Sequence, residues 1–281
     1  MAHILSQAEF ITAPEKAGRG VPCFSRALDL KRDVSIKQAT LHLSALGAYA
    51  AAIDGQPVGD FFLAPGWTEY KKRLQYQSYD VTKELCADSV VTVLLGEAWW
   101  GGRIGWAGQK NPRRTALIGA LEVEYADGSR ENVLTDARWR VMTTPILFSS
   151  IYDGETVDMN APCEDLGNAE LFAYDKSVLI PQEGEIVREK LTLQPQAEFV
   201  TPAGERVLDF GQNMTGYVRI HAKGAKGDAV ELSFAEVLDK DGNVVDEWMS
   251  KDAPHYMEAV LVAGETYTLE ETLVPDNSGY V

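Results

Sequence analysis

Between Ala39 and Trp106, apolar and polar positions alternate with a period of two in several short runs. Leu41, Leu43 and Ala45 fall on one face of the first run. Leu74, Tyr76 and Ser78 share a face of another, and Val90 to Leu95 is a shorter, nearly continuous apolar run. A period of two sends successive side chains to opposite faces of a β-strand. The pattern predicts strands over 24–30, 35–46, 49–53, 73–79, 90–95, 115–125, 131–134 and 138–142, with Trp139 facing inward. His42 falls mid-strand on the outer face. Asp54-Gly55 suits a two-residue hairpin turn; Pro65-Gly66 and Gly101-Gly102 mark longer turns. Residues 81–85 read as a helical turn. Residues 1–20 read as a loosely held lead-in, 149–164 (SSIYDGETVDMNAPCE) as an acidic loop, and 169–173 as a short helical patch.

Residues 181–184 are polar and read as a boundary, after which a second β-rich stretch begins. Phe199, Val200, Val207, Leu208 and Phe210 supply its first strands. Residues 217–222 and 229–237 are expected to pair across 224–228, with further strands at 257–262 and 266–270. No run predicts a helix of about 12 residues, the length at which helices become self-supporting. Regularly spaced short strands with turn signals give an all-β class and suggest two β-sandwich units. They are expected at 1–190 and 191–281.

Charge narrows the partners. The 281 residues carry 26 Lys plus Arg against 42 Asp plus Glu, a formal charge of −16. Nucleic acid and anionic membranes are therefore poor partners, and a neutral or cationic ligand is favoured. No run approaches the ~20 apolar residues of a spanning helix. The opening MAHILSQAEFITAP has no basic segment followed by an apolar core, so a cytoplasmic location is expected. Cys23, Cys86 and Cys163 are widely spaced with no CxxC pair, which argues for reduced thiols and against zinc.

Candidate chemistry is then limited. There is no GxSxG elbow for a hydrolase triad. Asp153, Glu155 and Asp158 crowd one segment and have the residue type of a glycosidase pair; a solvated or interface loop fits the same residues. Asp239 to Asn243 opens like a calcium loop, but Val244 and Ser250 stand where a glycine and a bidentate glutamate belong, so a hairpin turn is expected. Asp54, Asp60 and Asp80 are the remaining calcium candidates, and no metal ligand is assigned. Gly101, Gly102, Gly105 and Gly108 do not link a strand to a helix, so no phosphate cradle is implied. Trp67, Trp99, Trp100 and Trp106 offer flat faces on which sugar rings stack, with Asp60 and Arg103 to hold hydroxyls. Core or interdomain packing would use the same rings.

Several stretches in order resemble the N-terminal region of bacterial α-L-rhamnosidases: ATLHLSALGAYAAAIDGQPVGD (39–60), LAPGWTEYKKRLQYQSYDVT (63–82), LLGEAWWGGRIGW (94–106), SSIYDGETVD (149–158) and LDFGQNMTGYVRI (208–220). The resemblance implies two accessory jelly-roll-like β-sandwich regions, the second incomplete here, ahead of a catalytic helical barrel that removes terminal α-L-rhamnose with inversion. It also implies that the acid and base carboxylates belong to the barrel. The barrel's acidic signature is not found here, so the expectation is a non-catalytic region. Its partner would be a rhamnose-containing glycoside or the catalytic barrel.

Overall fold

The computed structural model describes residues 3–18, 20–104, 113–235, 237–244, 257–260 and 266–270. The architecture is all-β. Two sheets form the first sandwich. One, of seven strands, runs Glu170–Leu171, Ile11–Thr12, Ala116–Tyr125, Ile36–Leu46, Leu74–Asp80, Leu179–Pro181, with Arg130–Leu134 also paired to Ala116–Tyr125. The other, of six, runs Asp165–Asn168, Arg140–Met142, Cys23–Ala27, Val90–Gly96, Ala48–Ile53, Gln56–Pro57. All pairings in the two sheets are antiparallel except Leu179–Pro181 on Leu74–Asp80.

Alternation explains the packing. Leu41, Leu43, Ala45, Leu117, Leu121 and Val123 from the first sheet meet Phe24, Tyr49, Ile53, Val91, Val93 and Leu95 from the second in one buried cluster. Each such side chain contributes roughly 1.5–3 kcal/mol of burial. The outer face of the seven-stranded sheet is also covered. Ile4, Leu5, Ala8 and Phe10 pack there against Leu74, Tyr76, Ile118 and Trp100. The lead-in is thus a third layer rather than a loose tail, because an apolar outer face (Tyr76, Ala116, Ile118) needs cover. His42, on that face as expected, is 8% exposed beneath it.

The outer face of the six-stranded sheet is the seam to the second half of the chain. Ala48 and Ala98 cluster there with Ile146, Ile151 and Val157, and partly buried Ile220, Ala222, Val230 and Leu232 pack against them. The expected acidic loop is in fact a hairpin, Ile146–Ser150 against Gly154–Asp158. Gly154–Asp158 pairs in parallel with Met257–Val260, which in turn pairs with Ala229–Leu232. The division at 190 therefore separates two runs of sequence, while one four-stranded sheet draws on both.

Other expectations are corrected. Residues 169–173 hold the short strand Glu170–Leu171 on Ile11–Thr12, not a helical patch. Residues 217–222 and 229–237 do not pair with each other: Arg219–Lys223 pairs with Thr266–Glu270, and Ala229–Leu232 with Met257–Val260. Leu179–Pro181 joins the first sheet, pairing in parallel with Leu74–Asp80. Among the described residues no helix is long and apolar enough to cross a membrane.

Candidate functional site

The aromatic loops gather at one end of the first sandwich. The 58–73 loop leaves the sheet through Leu63, at a left-handed φ of 58°, and Gly66, at 90°. The Gly66 amide donates to the Leu63 carbonyl at 2.8 Å, closing a tight turn just before Trp67. The second loop opens with a single helical turn, Ala98–Gly101. Glycine is required where it ends: a Cβ on Gly102 would lie 2.5 Å from the Ala98 carbonyl oxygen. Such a contact excludes any side chain.

That turn sends adjacent indoles in opposite directions. Trp99 is partly buried against the cluster of Ala48, Leu63, Ala98 and Ile146 and lies parallel to Trp67, with ring centroids 6.0 Å apart and an 8° interplanar angle. Trp67 is 56% exposed. Trp100 is 7% exposed. Its indole N–H donates to the Arg114 carbonyl at 2.9 Å. Tyr70 and Tyr174 meet its ring edge-on, and the Arg113 guanidinium lies 4.9 Å from the ring centre. Trp100 has no open face for a sugar and is a packing residue, which removes it from the candidate platform. Trp106 lies outside the described residues.

Arg103 follows on the same segment. Its Nε donates to Asp153 Oδ1 at 2.9 Å and its Nη2 to the Tyr152 carbonyl at 2.8 Å. Ser150 Oγ donates to Asp153 Oδ2 at 3.2 Å. The ion pair is largely enclosed, with side-chain exposures of 22% and 15%, so removing one partner costs more than at a surface pair, because the other charge is left unpaired. A cleft of about 510 Å³ lies beside it, lined by Glu97, Arg103, Arg113, Ser149, Ser150 and Asp153 among others. Sequence reasoning missed the two serines, because small polar residues carry no strand signal of their own.

The three acids predicted as one cluster are separated. Asp153 holds Arg103. Glu155 is 2% exposed, opposite Ser149 in the hairpin. Asp158 accepts from the Asn160 backbone and side-chain amides at 2.8 and 3.1 Å. Alternation along Gly154–Asp158 and the turn before it give the three acids different partners. Asp60 is paired with Arg188 at 2.7 Å.

The calcium candidates are likewise scattered. Asp54 accepts from Ser89 Oγ and the Val90 amide, and Asp80 from the Thr82 amide and hydroxyl. These bonds hold both carboxyls below their usual range. Among the described residues no group of three His, Cys, Asp or Glu side chains is placed to hold a metal. Asp239 closes the expected hairpin, accepting from the Asp241 and Asn243 amides at 2.8 Å.

Beneath the Trp67 loop lies a polar seam. The Tyr49 hydroxyl donates to Gln77 Oε1 at 2.7 Å and sits 3.0 Å from the Tyr79 hydroxyl. Burial raises both phenols, Tyr79 to about 12. They are hydrogen-bonding groups here, not acids.

Fold and site together define an all-β, two-sheet module that carries an aromatic loop platform and shares a sheet with the stretch that follows it. The family model described as the alpha-L-rhamnosidase N-terminal domain matches residues 34–195, and that of the bacterial alpha-L-rhamnosidase concanavalin-like domain matches 200–272. An alpha-L-rhamnosidase of Streptomyces avermitilis is 34% identical over 280 residues, covering 92% of this chain and 26% of the relative. One from Formosa agariphila is 29% identical, covering 82% and 26%. The crystal structure of the Aspergillus terreus alpha-L-rhamnosidase superposes with a TM-score of 0.87 at 28% identity, over 98% of this chain and 34% of that one. The Streptomyces avermitilis enzyme complexed with L-rhamnose superposes at 0.82 and 30% identity, over 90% and 26%. The chain belongs to the bacterial alpha-L-rhamnosidase family and corresponds to its N-terminal part. It spans about a quarter (26%) of the length of the curated relatives it matches.

Proposed function

We propose that this chain is the non-catalytic N-terminal region of an α-L-rhamnosidase and that Trp67 and Trp99 present a rhamnose-containing glycoside to the rest of the enzyme. The whole protein would hydrolyse terminal α-L-rhamnosides, with one carboxylic acid protonating the leaving oxygen and a second activating water. Neither role falls to Asp153, Glu155 or Asp158, whose carboxyls face separate surroundings. The observation that carries the reading is the parallel indole pair on a family N-terminal domain, in which Trp99 backs an exposed Trp67. A sugar's C–H face can cover such a surface while its hydroxyls stay in water, which suits a neutral ligand on an acidic chain.

The test is a titration of the purified chain with L-rhamnose, with and without calcium, followed by tryptophan fluorescence. An aryl rhamnoside is included to detect turnover. Saturable quenching that Trp67→Ala removes, without turnover, is the expected result. Turnover by this chain would overturn the non-catalytic reading. Absence of any response at millimolar sugar would overturn the platform and leave the indole pair as a docking face for the catalytic barrel.

A further inference from the structure

The seam under the Trp67 loop is built from amides where apolar side chains would fill the same space. Leu74–Asp80 sends Leu74 and Tyr76 into the outer cluster, and Gln75 and Gln77 to the opposite side. Those glutamines are 9% and 4% exposed. Burying an amide is costly unless it is bonded. Both are bonded, and the bonds converge. Gln77 Oε1 accepts from Tyr49, and its Nε2 donates to Gln182 Oε1 at 2.7 Å. Gln75 Oε1 accepts from the Glu183 amide at 2.8 Å. The remaining donors of both residues reach one atom, the Pro65 carbonyl oxygen, each at 3.4 Å. Pro65 lies two residues before Trp67, in the turn closed by Gly66 and Leu63.

We propose that Gln75 and Gln77 are positioning residues for the Trp67 face: by holding the Pro65 carbonyl from two sides, they set the Trp67 ring parallel to Trp99. A satisfied buried polar network selects one arrangement of the backbone it binds, where an apolar filler tolerates several. Tyr49, Gln182 and Glu183 fix the two amides in turn, so the orientation of an exposed indole is referred back to the sandwich core. Neither glutamine would touch the sugar. The inference rests on the platform reading for its functional meaning, and on geometry alone for the ring orientation.

The experiment is tryptophan-labelled NMR of the chain, with Trp67 assigned by Trp67→Phe and its unstacked reference taken from Trp99→Ala. In the native chain the Trp67 ring protons should be shifted upfield by the ring current of Trp99. Gln75→Met and Gln77→Met should move them to the unstacked reference and weaken L-rhamnose binding about tenfold, through lost preorganisation. Gln75→Glu keeps an acceptor for the Glu183 amide and replaces the N–H groups facing Pro65 with a carboxylate oxygen that repels its carbonyl; it should shift the Trp67 ring protons toward the unstacked reference, and it decides the matter if the Met variants do not fold. Folded variants that keep the native Trp67 shifts would overturn the proposal, leaving the amides as a sheet-edge seam only. So would a native chain whose Trp67 shifts equal the unstacked reference. If the native chain binds no rhamnose, the platform reading falls, and the ring shifts alone still decide the positioning role.

Discussion

The strands at 36–46 and 197–209 carry the same kind of signal and meet different fates. Ile36–Leu46 is buried along most of its length, because the six-stranded sheet covers one face and the N-terminal segment the other. Among the described residues Ala197–Val200 and Arg206–Asp209 pair with each other and with no other strand, and every residue in them is at least partly exposed. Val200 stands 67% and Leu208 39% exposed. Alternation therefore specifies which face a strand offers, and only a second layer turns that face into stability. A two-stranded ribbon alone is marginal.

The largest expected effects lie where both layers are present. Phe24→Ala, in the inner cluster, and Trp100→Ala, in the outer one, should each cost about 3–5 kcal/mol in urea unfolding. Trp67→Ala should cost less than about 1 kcal/mol, because a residue already in water loses little burial. This contrast separates the two indoles that sequence treated alike. A cost for Trp67→Ala equal to that for Trp100→Ala would mean that the Trp67 ring is covered in solution. Next comes the seam. Asp153→Asn removes the charge that Arg103 grips and should cost about 1.5–3 kcal/mol, the range of charge-assisted hydrogen bonds.

Much of the fold could be read before the structure because period two is unambiguous where one face is apolar. The strands at 36–46, 48–53, 74–80, 90–96 and 116–125 follow from it. Two kinds of element escaped. The hairpin at 146–158 is rich in Ser, Asp and Glu, yet Ser149 and Glu155 are buried by cross-strand pairing and by a strand from a hundred residues later. The segment at 4–10 has no strand period; its apolar residues are ordered by a sheet face that sequence alone does not assemble. At the site, the aromatic loops were legible and their division was not. One helical turn decides that Trp99 backs Trp67 while Trp100 is buried in the outer cluster.

The N-terminal cover also has a pH dependence. His3 Nδ1 accepts from the Leu5 amide at 3.3 Å, and its ring stacks 4.0 Å from Tyr76 and meets His42 edge-on at 4.9 Å. Burial, then the His42 charge, push the His3 pKa below 6.5, against an opposing pull from Glu122. The native state thus favours neutral His3. The stability this confers is complete above pH 6.5 and is lost as pH falls through the lowered native value. A modest fall in stability over that range, smaller than for Asp153→Asn, is expected to flatten in His3→Asn, which keeps a capping acceptor and does not titrate. Equal pH profiles for the two proteins would show that His3 is not the group responsible.

The smallest effect tests the other side of the comparison. Leu208 lies opposite Glu198 in the two-stranded ribbon, on the face that also carries Val200 and Arg206. With 39% of its surface in water and no covering sheet among the described residues, Leu208→Ala should change stability by no more than about 0.5 kcal/mol, as surface substitutions do. Its unfolding midpoint should match the native chain, while Leu43→Ala, the same kind of change at a fully buried position, loses about 2–5 kcal/mol. The pair isolates layering, because both residues are strand leucines in alternating runs. A cost near 2 kcal/mol for Leu208→Ala would mean that this ribbon is covered in solution. The two halves of the chain would then differ in which partner supplies the second layer, and no longer in whether one is present.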